Sequence, residues 1–160
     1  MPKRRLMPHV VQDQELTTLP PNATVQSAVK RMVDNGISAV VITAGGSLSD
    51  PVIGIFTERD LTKRVVALGR DPRRTRLGEV MTSGPTTLPP DAMAIEALSF
   101  MQKQNFRHMP VVQDGCLVGM VSIRDLFSVV KQQLEEDVHE CEAFVFGSGY
   151  SLDTSQVHLI

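Results

Sequence analysis

Gly-Ile-Phe-Thr-Glu-Arg-Asp-Leu at residues 54–61 recurs as Gly-Met-Val-Ser-Ile-Arg-Asp-Leu at residues 119–126. Each copy of this repeated motif ends an apolar run, supplies a hydroxyl, an arginine and an aspartate, and then begins a pattern with helical spacing. A motif of such mixed chemistry that occurs twice in one chain indicates a duplicated structural unit.

The duplication extends beyond the repeated motif. Leu-Pro-Pro-Asn-Ala at 19–23 aligns with Leu-Pro-Pro-Asp-Ala at 88–92, and the apolar positions that follow correspond at helical spacing. The match covers the chain from about Thr17 to Leu126. One such unit buries too little surface to be stable alone. We therefore expect an α/β (α+β) fold in which two units pack face to face about a pseudo-two-fold axis.

Each unit is predicted to have the order β-α-β-β-α. In the first unit, Asn22 is expected to cap a helix that ends at Gly36, because Asn accepts from helix N-terminal amides and glycine adopts the left-handed conformation. The β-branched runs at 38–43 and 52–56 predict a hairpin. The second helix is predicted to run from Glu58 to Gly69.

The second unit is predicted to repeat this order. Asp91 is expected to cap a helix that ends near Gln104. Residues 108–112 and 116–121 are expected to form a hairpin across a tight Gln-Asp-Gly turn. The final helix is predicted to reach Glu136 or further, because its apolar residues keep helical spacing.

The chain is predicted to contain five segments. They are an N-terminal arm at 1–12, a first repeat at 13–70, a linker at 71–79, a second repeat at 80–136 and a C-terminal tail at 137–160. Four arginines between residues 70 and 77 fit either a solvated linker or a cluster near ligand phosphates. The apolar patch at 143–146, which precedes Gly-Ser-Gly-Tyr, is expected to pack on the core or on a partner.

Composition narrows the class of protein. A formal net charge of -2 and an aromatic content of 4% without Trp argue against nucleic-acid binding. No apolar run approaches the length of about 18 residues that a membrane helix needs. Two cysteines without metal-binding spacing fit a reducing cytoplasm. The four histidines do not cluster and no nucleophile stands beside a base, so we expect neither a metal site nor an enzyme.

The repeated motif carries chemistry that suits a nucleotide pocket. One carboxylate, that of Asp60 or Asp125, can accept hydrogen bonds from both vicinal hydroxyls of a ribose. The hydroxyl of Thr57 or Ser122 adds a second contact, and the adjacent arginine offers a donor fork to phosphate. The alternative is structural, because a hydroxyl followed three residues later by an acid is also a helix capping box. Capping alone does not explain why the whole motif recurs in both halves.

The stretch from about residue 10 to 136 resembles a tandem pair of CBS domains, the Bateman module. The resemblance is carried by both copies of the repeated motif, by Phe-Arg-His-Met-Pro-Val-Val at 106–112 and by Val-Met-Thr at 80–82. It implies two clefts between the half-domains that bind adenosine nucleotides, and pairing of two modules into a flat homodimeric disc.

The resemblance also implies which residues form each cleft. Asp60 and Asp125 match the family's ribose-binding aspartates, with Thr57 and Ser122 as their hydroxyl partners, and each cleft takes its other wall from the opposite repeat. The residues that Asp60 would face are Pro85, Thr86, Phe106, Arg107 and Pro110. Those that Asp125 would face are Thr18, Ile37, Ser38 and Ala39. The positions that match phosphate-binding ones in the family are Arg59, Arg107, His108 and Arg124.

The predicted function is that of a stand-alone, non-enzymatic regulatory module. Its ligand would be AMP, ADP, ATP, NAD(H) or S-adenosylmethionine, which share adenine and ribose and are not ranked by the motif. The module would act as a homodimer on an unidentified effector protein in the cytoplasm, without a catalytic cofactor. The alternative is a structural dimerisation module with vestigial clefts. Because residues 38–41 lack the Arg-His and the proline of the second half, the sequence leaves open whether both clefts bind the same ligand.

Overall fold

The computed structural model describes residues 4–146 and consists of two halves of mixed α/β structure. The predicted α/β class and both predicted hairpins are confirmed, and the β-α-β-β-α order is complete in the first half. In the second half an isolated bridge from Leu88 to Val111 stands where the first strand was predicted.

The expectation that the apolar patch at 143–146 packs on the core is wrong, because Phe144 and Val145 are 90% and 69% exposed at the end of the last helix. Its packing on a partner stays a prediction, and residues 147–160 lie outside the described residues.

The first half contains a four-stranded sheet and three helices. The strands, in sheet order, are β1 (Thr18–Leu19), β2 (Ala39–Thr43), β3 (Val52–Thr57) and β4 (Thr82–Ser83). The helices are α1 (Val25–Asn35), α2 (Glu58–Asp60), which continues in π-helical turns over Leu61–Val66, and α3 (Leu77–Val80). β1 is parallel to β2, whereas the other neighbouring strands are antiparallel.

The second half contains one hairpin and two long helices. These elements are α4 (Ala94–Gln104), β5 (His108–Gln113), β6 (Cys116–Ser122) and α5 (Ile123–Phe146). Leu88 takes the place that β1 has in the first half, because its amide donates to Pro110 at 3.0 Å and its carbonyl accepts from Val112 at 2.9 Å. α5 extends past Glu136, as predicted, and is the longest helix of the described chain.

The predicted N-terminal caps of both first helices are wrong. Thr24, not Asn22, caps α1, and its hydroxyl accepts from the amide of Ser27 at 3.2 Å. α4 begins after Met93 without a side-chain cap, so Asp91 has no capping role. The reason is the same in both halves: a turn closed by Ala23 N to Pro20 O, or by Ala92 N to Pro89 O, contains the predicted cap and delays the helix. 

The first helix of each half ends at a residue in the left-handed conformation. This residue is the predicted glycine in the first half and an asparagine in the second. Gly36 ends α1 in the left-handed conformation, with φ of 63°. Asn105 ends α4 in the same conformation, with φ of 58°. Asn is the commonest residue after glycine at such a position, because it tolerates positive φ at modest cost. Both helices therefore lead into β2 and β5 through equivalent corners.

Each half has its own apolar core. Phe56, Ile42 and Val65 are fully buried in the first half, between α1, the sheet and the turns after α2. Met101, Met109 and Leu126 are among the buried side chains of the second core, and Leu6 and Val11 of the N-terminal arm are buried with them. The arm is held there by Leu6 N to Ala92 O and Ala94 N to Arg4 O, both 2.8 Å. The basic N-terminal segment thus contributes to the core of the second half.

The chain segment that precedes each half crosses to the sheet of the other half. β4 pairs with β3, with Thr82 opposite Ile55. In the second half, the side chain of Gln14 binds both backbone groups of Met120, at 2.9 Å to the amide and 2.8 Å to the carbonyl. Since Ile55 and Met120 are equivalent positions of the repeated motif, Gln14 replaces an edge strand there. This exchange of segments obeys the pseudo-two-fold symmetry.

The two motif glycines make this crossing possible. A Cβ atom on Gly119 would lie 2.6 Å from Cγ1 of Val11, and one on Gly54 would overlap the sulfur of Met81. Real Cβ atoms do not approach other atoms so closely, so any larger residue would force the crossing segment outward. The motif glycine therefore admits another part of the chain, not a ligand.

Candidate functional site

Two cavities lie where the halves meet, and each contains one aspartate of the repeated motif. The cavity around Asp60, here the Asp60 cleft, has a volume of about 320 Å³. Its lining residues are Ser38, Ile55, Thr57, Glu58, Arg59, Asp60, Thr82, Gly84, Pro85, Thr86, Phe106, Arg107, His108, Met109 and Pro110. It therefore draws one wall from β3 and α2 and the other from β5 and the residues after β4.

The cavity around Asp125, here the Asp125 cleft, is larger at about 610 Å³. Its lining residues are Gln14, Glu15, Leu16, Thr17, Gly36, Ile37, Ser38, Ala39, Val41, Arg107, His108, Leu117, Met120, Ser122, Ile123, Arg124 and Asp125. Both volumes lie in the range of about 300–1,000 Å³ that is typical of small-molecule pockets.

All but one of the residues proposed from the sequence line the expected cavity. Those at the Asp60 cleft are Thr57, Arg59, Asp60, Pro85, Thr86, Phe106, Arg107, His108 and Pro110. Those at the Asp125 cleft are Ile37, Ser38, Ala39, Ser122, Arg124 and Asp125. Thr18 is the exception, because its hydroxyl donates to the carbonyl of Gly46 at 2.8 Å and its neighbour Thr17 lines the cavity instead. The alternation of side chains along an extended strand turns these two residues in opposite directions.

Sequence reasoning missed the contribution of the crossing segments. Thr82 and Gly84 line the Asp60 cleft, and Gln14 and Glu15 line the Asp125 cleft. Each pair belongs to the segment that precedes one half and crosses to the other. The available signal was the repeat itself: when the alignment of Leu19 with Leu88 is continued upstream, residues 11–15 correspond to residues 80–84.

The carboxylate of Asp60 is already engaged within the protein. Asp60 is only 7% exposed. Its Oδ2 accepts from the amide of Thr57 at 3.0 Å and from the Thr57 hydroxyl at 3.2 Å, while that hydroxyl accepts from the Asp60 amide at 3.3 Å. Oδ1 accepts from Thr82 at 3.3 Å and lies 3.6 Å from Nε of Arg64. The capping box that the sequence left as an alternative is therefore present in the first repeat.

Asp125 has a different environment although it occupies the equivalent position. Its amide donates to the Ser122 hydroxyl at 3.1 Å, which preserves half of the capping arrangement. Its side chain is exposed, and within residues 4–146 its carboxylate takes part in no hydrogen bond or ion pair. Both oxygens of Asp125 are therefore free to accept from a ligand.

The two cavities share a wall made by three residues. Ser38, Arg107 and His108 line both of them. The Ser38 hydroxyl and Nε2 of His108 share a hydrogen bond of 2.9 Å that joins the first repeat to the second. Burial lowers the pKa of His108 below its ordinary value of 6.5, against the opposing effect of Glu58 and Asp125. The imidazole is therefore neutral near pH 7. In this form one ring nitrogen donates a hydrogen bond and the other accepts one.

The arginines supply positive charge at defined places. Arg59 lines the Asp60 cleft, and its Nη1 donates to the carbonyl of Asn105 at 3.3 Å, which ties it to the opposite half. Arg124 lines the Asp125 cleft, and Arg107 lines both. Each cavity thus contains two guanidinium groups and two carboxylates, those of Glu58 and Asp60 in one cleft and of Glu15 and Asp125 in the other. Such a combination suits a ligand with both hydroxyl groups and an anionic group.

Among residues 4–146, no group of three or more His, Cys, Asp or Glu side chains is arranged to hold a metal ion. None of the helices that the structure describes is long and apolar enough to cross a membrane.

Comparison with known proteins identifies the family. The model of the CBS domain matches residues 8–67 and residues 77–132, one range in each half of the chain. The chain therefore belongs to the CBS-domain family, whose members generally serve as regulatory modules. The matched ranges include both copies of the repeated motif and the β2–β3 and β5–β6 hairpins.

Individual relatives agree with this assignment. The CBS domain-containing protein CBSX3, mitochondrial, of Arabidopsis thaliana is 33% identical over 129 residues, which are 79% of this chain and 62% of that protein. A solved CBS-domain protein from Burkholderia ambifaria MC40-6 has a TM-score of 0.69 and 31% identity over 79% of this chain and 95% of its own. ATU1752 from Agrobacterium tumefaciens has a TM-score of 0.66 and 28% identity over 74% of this chain and 87% of its own.

The curated relatives are longer than the matched region. The chain spans 62% of CBSX3 and 25% of a second Arabidopsis thaliana relative, CBSCBSPB3, to which it is 32% identical. The activity and partners of those whole proteins are therefore not transferred.

Proposed function

We propose that this protein is a non-enzymatic regulatory module that binds an adenosine nucleotide in the clefts between its two CBS repeats. The observation that carries the proposal is the position of Asp125, whose unpaired carboxylate faces a wall formed by residues 36–39 of the other repeat. A carboxylate with two free oxygens can accept from both hydroxyls of one ribose, and charge-assisted hydrogen bonds of this kind are the stronger class.

The environments of Asp125 and Asp60 also support a difference in nucleotide affinity between the two clefts. Asp60 would have to share its carboxylate with Thr57, Thr82 and Arg64, because all of these lie within 3.6 Å of it. Asp125 has no such competitors in the described chain. We therefore assign the tighter ribose site to the Asp125 cleft and a weaker one to the Asp60 cleft. The adenine would lie against Ile37 and Ala39 in the first of these, and phosphates would meet Arg124 and Arg107.

The regulatory step follows from the shared walls. A nucleotide in either cleft touches both repeats, so it favours the arrangement in which the repeats are closest. The ligand can shift the module only by as much as its affinity differs between the two arrangements. This change in shape or in pairing is what an effector protein would recognise. A cytoplasmic location remains part of the proposal and rests on the use of two cysteines without metal-binding spacing.

Calorimetric titration tests the proposal. Protein stripped of nucleotide is titrated with AMP, ADP, ATP, NAD(H) and S-adenosylmethionine, and at least one of them is expected to bind with a measurable heat. Asp125→Asn keeps the shape of the side chain but removes its charge, and it should weaken the tighter site by about tenfold or more. Asp60→Asn should affect only the weaker site.

Asp91→Asn is the matched control, because Asp91 is exposed and lies outside both clefts. Binding by Asp91→Asn should equal that of the wild type. The proposal fails if none of the five compounds produces heat at millimolar concentration. It also fails in its assignment of residues if Asp125→Asn binds as tightly as Asp91→Asn.

A structural dimerisation module with vestigial clefts is the second candidate. It is favoured by the internal bonds of Asp60 and by exposed apolar side chains on α5, among them Phe127, Leu134 and Val138. Mass spectrometry of the protein after native purification separates the two functions. Recovered nucleotide supports the sensor, whereas a dimer that carries none and gives no calorimetric heat supports the structural module.

A further inference from the structure

The second repeat has an apolar groove on its surface between α4 and α5. Its volume is about 610 Å³, and its apolar lining residues are Leu98, Phe127, Val130, Leu134 and Val138. Phe127, Leu134 and Val138 are each more than half exposed, so nothing in the described part of the chain covers the groove. A contiguous apolar surface of this kind marks a place where another segment or a partner binds.

The stretch of sequence at 150–160, here the 150–160 segment, has a composition that suits the groove. Its apolar residues are Tyr150, Leu152, Val157, Leu159 and Ile160. The first two and the next two of these are each separated by one polar residue, which is the period-two pattern of an extended segment with one apolar face. The segment contains no Lys or Arg and a single acidic side chain, so it brings little negative charge against Glu135 and Glu142 at the groove.

The connection between α5 and the 150–160 segment is short enough and suited to a reversal. The sequence Gly-Ser-Gly at 147–149 follows Phe146, and glycine readily adopts the positive φ that ends a helix and turns the chain back. The distance from Phe146 back to Phe127 along α5 is about 29 Å, because an α-helix rises about 1.5 Å per residue. An extended chain of the length of the 150–160 segment spans up to about 36 Å, so it can reach every part of the groove.

We propose that the 150–160 segment occupies the groove of its own chain, with Tyr150 at the end that is lined by Val138 and Glu142. A segment held by a short linker has an effective concentration of about a millimolar, which exceeds that of any separate protein at micromolar concentration. The segment therefore acts as a built-in cover, and a second copy or an effector reaches this face only by displacing it. This inference does not depend on nucleotide binding.

Tyrosine fluorescence tests the proposal in the full chain. Tyr150 is the only tyrosine and the chain has no tryptophan, so the emission reports on residue 150 alone. Acrylamide should quench this emission several-fold less efficiently than it does in the same chain unfolded in urea. The groove variant, Leu134→Gln with Val138→Gln, removes apolar surface at positions that are already exposed. It should raise the quenching of Tyr150 close to the value of the unfolded chain.

Two further variants make the test specific. Val33→Gln with Val66→Gln is the matched control, because these valines are exposed on the first repeat and lie outside the groove. Its quenching should equal that of the wild type. Leu152→Ser with Leu159→Ser changes the other side of the contact and should also release Tyr150. Combining it with the groove variant should add nothing, since both remove the same contact.

The opposite results would overturn the inference. Quenching of wild-type Tyr150 as strong as in urea would mean that the 150–160 segment is not docked, and sedimentation equilibrium then shows whether a second copy covers the groove. Protection that persists in the groove variant would place the segment elsewhere. Protection that disappears on dilution would place it in the groove of a second copy. Circular dichroism confirms that each variant is folded.

Discussion

The hydroxyl of Ser38 lies 2.9 Å from Nε2 of His108, and this contact forms the partition between the two clefts. One residue comes from each repeat, at the start of β2 and of β5. Any ligand that displaces either residue in one cleft changes the wall of the other. The contact therefore gives the module a physical route by which occupancy of one cleft can alter affinity in the second.

Stability should depend on pH through His108. Because burial holds the folded-state pKa below the unfolded value of 6.5, the unfolded chain binds the proton more readily as the pH falls. The stabilisation is complete above pH 6.5 and is lost as the pH falls from 6.5 through the lowered folded-state pKa. Wild type should therefore lose more free energy of unfolding between about pH 7.5 and about pH 5.5 than His108→Gln does. Urea denaturation at both pH values measures the difference.

His139→Gln is the control for this experiment, because His139 is exposed on α5. It should show the same pH dependence as wild type. Equal slopes for wild type and His108→Gln would contradict the role given to the buried imidazole.

Arginine substitutions should separate the two clefts. Arg107→Gln should weaken nucleotide binding in both, Arg59→Gln only in the Asp60 cleft and Arg124→Gln only in the Asp125 cleft. Loss of one charge-assisted hydrogen bond to phosphate is expected to reduce affinity about tenfold. Calorimetry with ATP gives the affinity of each site.

The comparison variant is Arg73→Gln, which removes an exposed charge from the linker. Its affinity should match wild type if the linker arginines are solvated. A tenfold loss in Arg73→Gln would instead show that the linker cluster meets the phosphates, the second of the two interpretations that the sequence leaves open.

Adding one carbon to Gly119 should destabilise the second repeat. The new Cβ would lie 2.6 Å from Cγ1 of Val11, and Gly119→Ala should cost about 1–3 kcal/mol of unfolding free energy. Gly54→Ala should also destabilise the fold, because its Cβ would overlap the sulfur of Met81 and lie 3.2 Å from the carbonyl oxygen of Thr82. Thermal and urea denaturation measure both.

A double substitution makes this test specific. Val11→Ala removes the methyl groups in the way, so the Gly119→Ala and Val11→Ala costs should be less than additive. Gly78→Ala is the control, since its Cβ would be 3.4 Å from its nearest neighbours, an ordinary distance. Additive costs would mean that the crossing segment does not pack against Gly119.

A substitution in the N-terminal arm should lower the free energy of unfolding as much as one in a core strand does. Leu6 is fully buried in the second core, so Leu6→Ala should cost about 2–5 kcal/mol. Leu48, in the exposed loop between β2 and β3, gives the matched control, and Leu48→Ala should change stability by less than about 0.5 kcal/mol. Urea denaturation compares them. Equal effects of the two substitutions would mean that the arm does not belong to the core.

Much of the architecture could be predicted from short-range patterns. The β-branched runs, the helical spacing after each proline pair and the recurrence of the motif predicted the helices, both hairpins and the two aspartates of the motif. These features depend on backbone preferences and on neighbouring side chains, which a sequence records directly. The opposite wall of each cleft was implied by the resemblance to the family. The caps failed because the choice between Asn22 and Thr24 depends on which residues the preceding turn consumes, a matter of one or two positions.

The sequence by itself determined that the chain is duplicated, that each half carries a helix, a hairpin and a second helix in that order, and that an aspartate follows the last strand of each half. Only the tertiary structure decided that Asp60 is enclosed and bonded while Asp125 is open, although both belong to the same motif. The physical reason is that their neighbours come from distant parts of the chain. The hydroxyl of Thr82 donates to the carboxylate of Asp60 from the neighbouring strand. In the second half, the side-chain amide of Gln14 binds the backbone of Met120 and not the carboxylate of Asp125. The hydrogen-bond partners of the two aspartates therefore depend on how distant segments pack together, which no local sequence pattern predicts.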